Sequence, residues 1–348
     1  MIDFRYHLVS LISVFLALAV GIVLGAGPLR EGIGDTLTGQ VEELRTDRDQ
    51  LRTEVDDLGV EVSDRDSYIA SLTAQVAAGS LDGQQVALVA LPEAVSDDVD
   101  AAESTLQDAG AQVALRVSVA PSWQETTAAY RQSFAGQVAG YLTTDPPADA
   151  DPDYVLAAAL AQLLVQQPDA ETASLLTELL TAGDTPFLEA FDVPGTAVDA
   201  VVVIGPHPEE TADDAQDEDA ESESESESAT ALTEVDWVPV VSGLAAALPT
   251  VTVGAADGLI GQLRAAALAT TTLDSVGEVP AMAALPLAVN AELRAVHGAY
   301  GSAEDATQPA PPLPEAIPEP EAQPDEEQAQ SQTEDEASPK SAEEDGEK

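Results

Sequence analysis

The chain has 348 residues and a formal net charge of −52, with 64 Asp and Glu against 12 Lys and Arg. This balance argues against nucleic-acid binding, because only four basic residues, all arginine, lie between Arg65 and Lys340. The absence of cysteine excludes disulfides, thiolate nucleophiles and cysteine metal sites. An acidic surface of this kind is typical of adaptation to high salt, and the alternative is a surface that attracts cations.

An apolar run without any charge occupies residues 8–26. At ~1.5 Å per residue it predicts a helix of roughly 28 Å, which just spans the hydrocarbon core of a bilayer. Arg5 and His7 precede the run, which favours a cytoplasmic N-terminus and places the rest of the chain outside the cell membrane. We therefore predict a membrane anchor over residues 1–29; a cleaved signal peptide is the alternative, since the run ends in small residues.

A heptad pattern follows within residues 30–80. Valine or isoleucine stands at the a positions and leucine at the d positions, except for Arg48 at one a position and Arg65 at one d position. This pattern is the preference of parallel two-stranded coiled coils, and the two arginines interrupt the seam. The predicted dimer interface consists of Leu37, Val41, Leu44, Leu51, Val55, Leu58, Val62, Ile69, Leu72 and Val76. A parallel homodimer also lets two anchors enter one membrane from the same side. The alternative is a single amphipathic helix that folds back on its own domain.

Short apolar strands alternate with helical patterns over residues 83–302. The predicted strands are 85–91, 112–119, 200–204 and 251–253, and the predicted helices are 97–109, 154–165, 170–182, 238–248, 259–269 and 285–296. This alternation favours an α/β domain with a Rossmann-like, mostly parallel sheet. An acidic insertion at 207–234 and an acidic, proline-rich tail at 303–348 are too polar to bury, so we predict that both are disordered.

No catalytic, cofactor or metal site is predicted. The histidines His7, His207 and His297 have no metal-ligand spacing to one another. Met282 is the only methionine after the first residue, so a thioether site for a cuprous ion is missing. The turns after the strands lack glycine-rich phosphate-binding patterns, and no Gly-x-Ser-x-Gly elbow is present. We therefore expect a protein that is not an enzyme, with an enzyme on an α/β scaffold as a minor alternative.

Two short motifs carry a resemblance to a known family. The chain opens with MIDFRYHLVSL, in which Asp3, Arg5, Tyr6 and His7 stand directly before the apolar run. Near the end of the α/β domain, TTLDSV at 271–276 is followed by GAYG at 298–301, which contributes Asp274, Tyr300 and Gly301. Both motifs resemble the mycobacterial copper transport protein B (MctB) family of actinobacterial cell-envelope proteins. The family usually has a histidine at the position of Ala299.

The resemblance implies a protein of copper efflux or copper tolerance, with a copper ion as the transported species, described in the family as a channel-forming outer-membrane component. A membrane barrel needs strands of ~9 to 11 residues, whereas the predicted strands are shorter and lie between helices. We therefore expect a single-span, envelope-facing protein that supports copper efflux without a high-affinity copper site of its own. The alternative is a non-enzymatic dimeric scaffold that recruits a partner above the membrane.

Overall fold

The structure, a computed structural model, describes residues 4–26, 28–165, 170–181, 183, 185–189, 191, 193–207 and 236–317. The chain divides into two compact units, Met1–Ile69 and Ala70–Lys348. The predicted insertion, apart from His207, and the tail beyond residue 317 lie outside the described residues.

Helix α1 (Phe4–Ala26) contains the predicted anchor. Within it, Phe4–Val23 is the one helical stretch among the described residues that is long and apolar enough to cross a membrane, and none of its side chains is buried. The 23 residues of α1 extend over roughly 35 Å, enough for the hydrocarbon core of a bilayer. Length and composition therefore agree with the predicted anchor; a signal sequence would have the same properties.

Helix α2 (Pro28–Ala77) is continuous over 50 residues and carries the heptad pattern. Every apolar a and d residue from Val41 to Val76 is exposed in the single chain, from 38% at Ile69 to 67% at Leu44. The side chain of Leu37 lies outside the described residues. The last turns of α2, from Ala70 onwards, belong to the second unit; there Leu72 and Val76 are exposed while Ala77 is buried in a core of that unit. In these last turns the helix therefore packs on the domain through a face beside the heptad seam, and the seam itself stays exposed.

A six-stranded parallel sheet, in the order β2-β1-β3-β4-β5-β6, forms the centre of the second unit. The strands are β1 (Gln85–Ala90), β2 (Gln112–Ser118), β3 (Ala200–Ile204), β4 (Thr250–Val253), β5 (Thr271–Leu273) and β6 (Ala299–Tyr300). The strand β3 reads AVVVI and is buried at every position, because helices cover both faces of the sheet. The order reverses between β1 and β3, which makes this pair the topological switch point.

Helices pack on the two faces of this sheet and build two hydrophobic cores. They are α3 (Ser96–Asp108), α4 (Ser122–Glu125), α5 (Ala128–Val138), α6 (Pro152–Val165), α7 (Ala170–Thr181), α8 (Val238–Ala245), α9 (Gly261–Ala265) and α10 (Val279–Leu293). Helices α3 and α10, with the end of α2, cover one face, and α5 to α9 cover the other. Strand residues alternate between the cores, with Val86 and Leu88 on the α3 side and Ala87 and Val89 on the other.

These observations confirm the predicted fold class and show where the element predictions differ. The strands β5 and β6 were not predicted, because three and two residues are too short for a strand pattern. Helix α10 begins at Val279, before the predicted start at 285, and continues through Pro286. Helix α5 was not predicted either, since its apolar residues are not concentrated on one face. The predicted helix 259–269 is a π-helical turn at Ala256–Ile260 followed by the short α9.

Residues 303–317 follow the surface of the domain beyond the boundary at 302 that composition predicts. The amide of Thr307 donates to the carbonyl of Ala299 at 2.8 Å. The fully buried Asn290 of α10 donates its Nδ2 to the carbonyls of Ser80 (2.9 Å) and Glu315 (3.1 Å), and its Oδ1 accepts from the Glu315 amide at 3.2 Å. One buried side chain thus joins this segment to the residues that follow α2.

We predict that a chain ending at Ser302 is less stable than one ending at Ile317. The shorter chain loses both hydrogen bonds between the buried Asn290 and the Glu315 backbone and the bond from the Thr307 amide to the Ala299 carbonyl, which should together cost about 2–4 kcal/mol of unfolding free energy. For a domain of this size the thermal midpoint should fall by roughly 5–15 °C, measured by circular dichroism or calorimetry. Equal midpoints for the two chains would show that this segment contributes nothing to the fold.

Candidate functional site

The candidate site lies at the carboxyl edge of the sheet, at the switch point between β1 and β3. In open parallel α/β sheets, ligands bind in the crevice outside the carboxyl ends of the strands where the strand order reverses. Here the chain leaves β1 towards α3, and it leaves β3 through Gly205 and Pro206 to His207. The residues that follow these two strands therefore meet at one edge.

His207 and Asp98 form a pair at this edge. The Nε2 atom of His207 lies 2.5 Å from Oδ2 of Asp98. Asp98 stands in the first turn of α3, where the helix dipole stabilises a carboxylate. The Asp98 side chain is 10% exposed and that of His207 is 44% exposed, so the pair combines a buried acid with an accessible imidazole.

The turn between β5 and α10 completes the surroundings of this pair. Gly277 has a φ of +83°, and a Cβ added there would lie 2.6 Å from two atoms of the His207 ring. A glycine is therefore required at this position both by the backbone conformation and by the imidazole. Three separate segments, α3, the residues after β3 and the β5–α10 turn, thus converge on His207.

A half-open cavity of about 380 Å³ adjoins the pair within the second unit. It lies between α3, α10 and the last turns of α2, from Ala70 onwards, and six of its lining residues are alanine. Asp98, Gly277 and Glu278 also line the cavity, and this connects it to the carboxyl edge. A mostly apolar space with a few polar groups is the usual form of a ligand pocket.

The family-motif residue Asp274 lies at the same edge, after β5, but its carboxylate is fully occupied. It is 1% exposed, and Arg264 donates both terminal guanidinium nitrogens to its Oδ2 at 3.2 Å. Its Oδ1 accepts from the Ser302 amide at 2.8 Å and the Ser275 hydroxyl at 3.1 Å, and Oδ2 also accepts from the Ala303 amide at 3.2 Å. Both carboxylate oxygens are used in this way, so Asp274 joins the end of β5 to α9 and to the residues after β6 and has no oxygen free for a ligand.

The glycines and tyrosine of the second motif fit tightly around Asp274. Gly301 has a φ of +134°, and a Cβ there would overlap the Asp274 carboxylate. A Cβ on Gly298 would overlap the ring of Tyr300, which is itself buried. Burial, with the nearby Glu292 carboxylate, raises the pKa of Tyr300, so its phenol stays protonated at neutral pH. Asp274, Tyr300 and Gly301 are therefore brought together, and packing explains them.

The first motif lies on the other unit. Arg5, Tyr6 and His7 occupy the beginning of α1 and are exposed, whereas Asp3 lies outside the described residues. The two motifs thus sit on different units of the chain.

The second histidine of the domain, His297, forms a closed pair at the opposite, amino edge of the sheet. Its Nδ1 lies 3.0 and 3.1 Å from the two carboxylate oxygens of the buried Glu292. The hydroxyl of Thr271, the first residue of β5, donates to the same carboxylate at 2.5 Å. Among the described residues, no group of three or more His, Asp or Glu is arranged to hold a metal ion.

Sequence reasoning did not find the His207–Asp98 pair, because the two residues are 109 positions apart. Ser275, which follows β5 at the same edge of the sheet, has an unusual φ of +64°. Its hydroxyl contacts Asp274 and Ser302, both at 3.1 Å. Ser275 is therefore part of the motif packing and is not directed at His207.

We predict that replacement of Gly301 by alanine destabilises the domain by about 3 kcal/mol or more. The new Cβ would force a residue into the left-handed region and displace a buried carboxylate from its donors. Gly136→Ala in α5 is the matched control, because a Cβ there meets nothing within 4 Å and should stabilise the helix by about 0.5–1 kcal/mol. Chemical unfolding measures both; an equal effect of the two variants would contradict this role of Gly301.

The sequence of this chain is similar to one family of known proteins and to several of its members. Residues 1–311 match the model of the family described as copper transport outer membrane protein, MctB. The copper transporter MctB of Mycobacterium leprae is 44% identical over 119 residues, which is 34% of this chain and 38% of that protein. The copper transporters MctB of Mycobacterium tuberculosis and Mycobacterium bovis are each 29% identical over 129 residues, which is 37% of this chain and 41% of theirs.

These alignments span about two-fifths of the length of the curated relatives. The family match extends much further, from the apolar helix to the segment that follows β6, and includes both motifs. It confirms the resemblance noted in the sequence: the chain belongs to the MctB family of copper transport proteins.

Proposed function

We propose that this protein supports copper transport as a membrane-anchored component of the cell envelope. The observation that carries the proposal is the family match over residues 1–311, since it includes the apolar helix, α2 and the α/β domain in one alignment. The relatives are named copper transporters, and they match over about two-fifths of their length. A scaffold without a role in transport has less support, because nothing in these relatives' names points to one.

The proposed arrangement has α1 in the cell membrane, the N-terminus in the cytoplasm and the α/β domain on the extracytoplasmic side. The apolar helix and the basic residues before it support this arrangement. The described strands have two to seven residues and are covered by helices, whereas a strand that spans the outer membrane needs ~9 to 11. The outer-membrane location in the family's description therefore has less support from this fold than an anchor in the cell membrane.

We also propose that two chains pair in parallel along α2. Nine apolar a and d side chains are exposed over the length of the helix, more contiguous apolar surface than a lone helix normally presents to water. Because Leu72 and Val76 stay exposed where α2 meets its own domain, the alternative of a helix folded back on that domain finds no support in these turns. A second copy would bury the seam from Leu37 to Val76.

Copper would be the transported species in this proposal and not a resident cofactor. Asp274, the buried acid of the family motif, has no free oxygen for an ion, as its hydrogen bonds show. The domain also lacks cysteine and has a single methionine, so soft ligands for tight cuprous binding are missing.

We predict that a strain lacking this gene accumulates copper and is more sensitive to it, and that the full chain restores both properties. A chain in which a cleavable signal peptide replaces α1 should be exported but should fail to restore them, because the domain is no longer held at the membrane. Cellular copper is measured by inductively coupled plasma mass spectrometry. Unchanged copper content and sensitivity in the deletion strain would remove the transport function.

We predict that Leu58→Asp converts the detergent-solubilised full chain from dimer to monomer, whereas Val60→Asp leaves it a dimer. Both residues are exposed and apolar on the same helix, 53% and 63% exposed respectively. Leu58 stands at a d position of the seam, and Val60 stands on the opposite face at an f position. Light scattering coupled to size-exclusion chromatography reports the mass. A monomeric parent chain, or a dimer that survives Leu58→Asp, would contradict the paired coil.

A further inference from the structure

We propose that His207 and Asp98 form a weak, exchangeable binding site for a cupric ion at the carboxyl edge of the sheet. The choice of metal rests on the proposed copper transport; the position of the site rests on the geometry of this pair.

The distance between the two donor atoms suits a shared ion. Two ligands that each lie about 2 Å from an ion, at right angles, are roughly 2.9 Å apart. His207 Nε2 and Asp98 Oδ2 are 2.5 Å apart. The two atoms would therefore have to move apart by only about 0.4 Å to bind one ion. The imidazole would bind through Nε2 in its neutral form with the ring proton on Nδ1, and the carboxylate would bind as the anion. No electron transfer is involved.

The pair is placed where an ion can reach it. It lies at the switch point between β1 and β3, and the His207 side chain is 44% exposed, so an ion can reach the imidazole from solvent. Asp98 is buried and also lines the adjoining cavity of about 380 Å³, which leaves space for water on the other side of the ion.

The chemistry of the ligands favours the cupric over the cuprous ion. Imidazole nitrogen and carboxylate oxygen suit Cu(II), which forms the most stable complexes of the divalent first-row metals with such donors. Cu(I) prefers thiolate and thioether ligands, and the chain contains no cysteine.

The net charge of the chain favours cations as well. The sequence contains 64 Asp and Glu against 12 Lys and Arg, a formal net charge of −52. A field of one sign raises the local concentration of the opposite ion and speeds its arrival. The described residues supply no third His, Asp or Glu in a metal-binding arrangement, so water would complete the coordination and the ion would exchange readily. Weak binding of this kind suits a transported ion, which has to leave again.

The other histidine–carboxylate pair of the domain provides an internal contrast. His297 contacts both oxygens of Glu292, and Thr271 donates to the same carboxylate. Glu292 is buried at the amino edge of the sheet, so an ion there would have to displace a closed network. An ion shared between His297 and Glu292 is therefore disfavoured, although the two imidazoles are similarly exposed, at 40% for His297 and 44% for His207.

The test is pulsed electron paramagnetic resonance on the detergent-solubilised full chain with one equivalent of Cu²⁺. A coordinated imidazole gives electron spin-echo modulation from its remote nitrogen, and the many carboxylates of this chain cannot produce that signal. The chain has three histidines, so His7→Gln, His207→Gln and His297→Gln assign it. We expect the modulation in the parent, in His7→Gln and in His297→Gln, and its loss in His207→Gln.

Asp98→Asn should retain the imidazole signal only at about tenfold or higher copper concentration, because the anionic ligand is gone. Thermal melting without copper checks that each variant is folded; Asp98→Asn remains informative if His207→Gln is not. Modulation that persists in folded His207→Gln, or a parent spectrum with oxygen ligands only, would overturn the site. The cellular copper assay is independent: unchanged copper in the deletion strain with a positive resonance result would reject the transport function and leave the site standing.

Discussion

The ion pair between Arg264 and Asp274 is the contact on which the carboxyl edge of the sheet depends. Strands β5 and β6 have three and two residues, too few to be stable from their own ladder hydrogen bonds. Arg264 bonds Asp274 and also donates to the Tyr300 carbonyl at 3.0 Å, while Asp274 accepts amides that follow β6. Because the pair is buried and each member has further partners, loss of either would leave an uncompensated charge. Arg264 is one of only four basic residues between Arg65 and Lys340, and every nitrogen of its guanidinium donates a hydrogen bond.

The sequence predicted those parts of the fold that are set by local patterns. The AVVVI run of β3 and helix α3 were visible because several consecutive residues share a period. Strands β5 and β6 were not, since they exist through contacts with Arg264 and with residues far along the chain. The motif residues Asp274 and Gly301 could be named from a resemblance, but only the three-dimensional contacts explain them as packing.

The histidines at the two edges of the sheet differ in how the carboxylates that they contact are bonded. At the amino edge, His297 completes a network in which Glu292 is buried and bonded on both oxygens. At the carboxyl edge, His207 is accessible and pairs with a single oxygen of Asp98 beside a cavity. The site at the switch point depends on residues 109 positions apart, so neither spacing nor composition could reveal it. The two imidazoles are similarly exposed, at 44% for His207 and 40% for His297, so the pairs differ in their carboxylates and not in their histidines.

The proposed function depends on α1 as a membrane anchor and on an α/β domain outside the cell membrane. Because the chain has no cysteine, a single introduced cysteine reports its own location. Gln137→Cys places one on an exposed position of α5. The direct measurement is labelling of this variant in intact spheroplasts with a membrane-impermeant maleimide. An anchored chain with an extracytoplasmic domain should be labelled fully before lysis and stay in the membrane fraction. Labelling only after lysis, or a domain released from the membrane, would show that this topology is wrong.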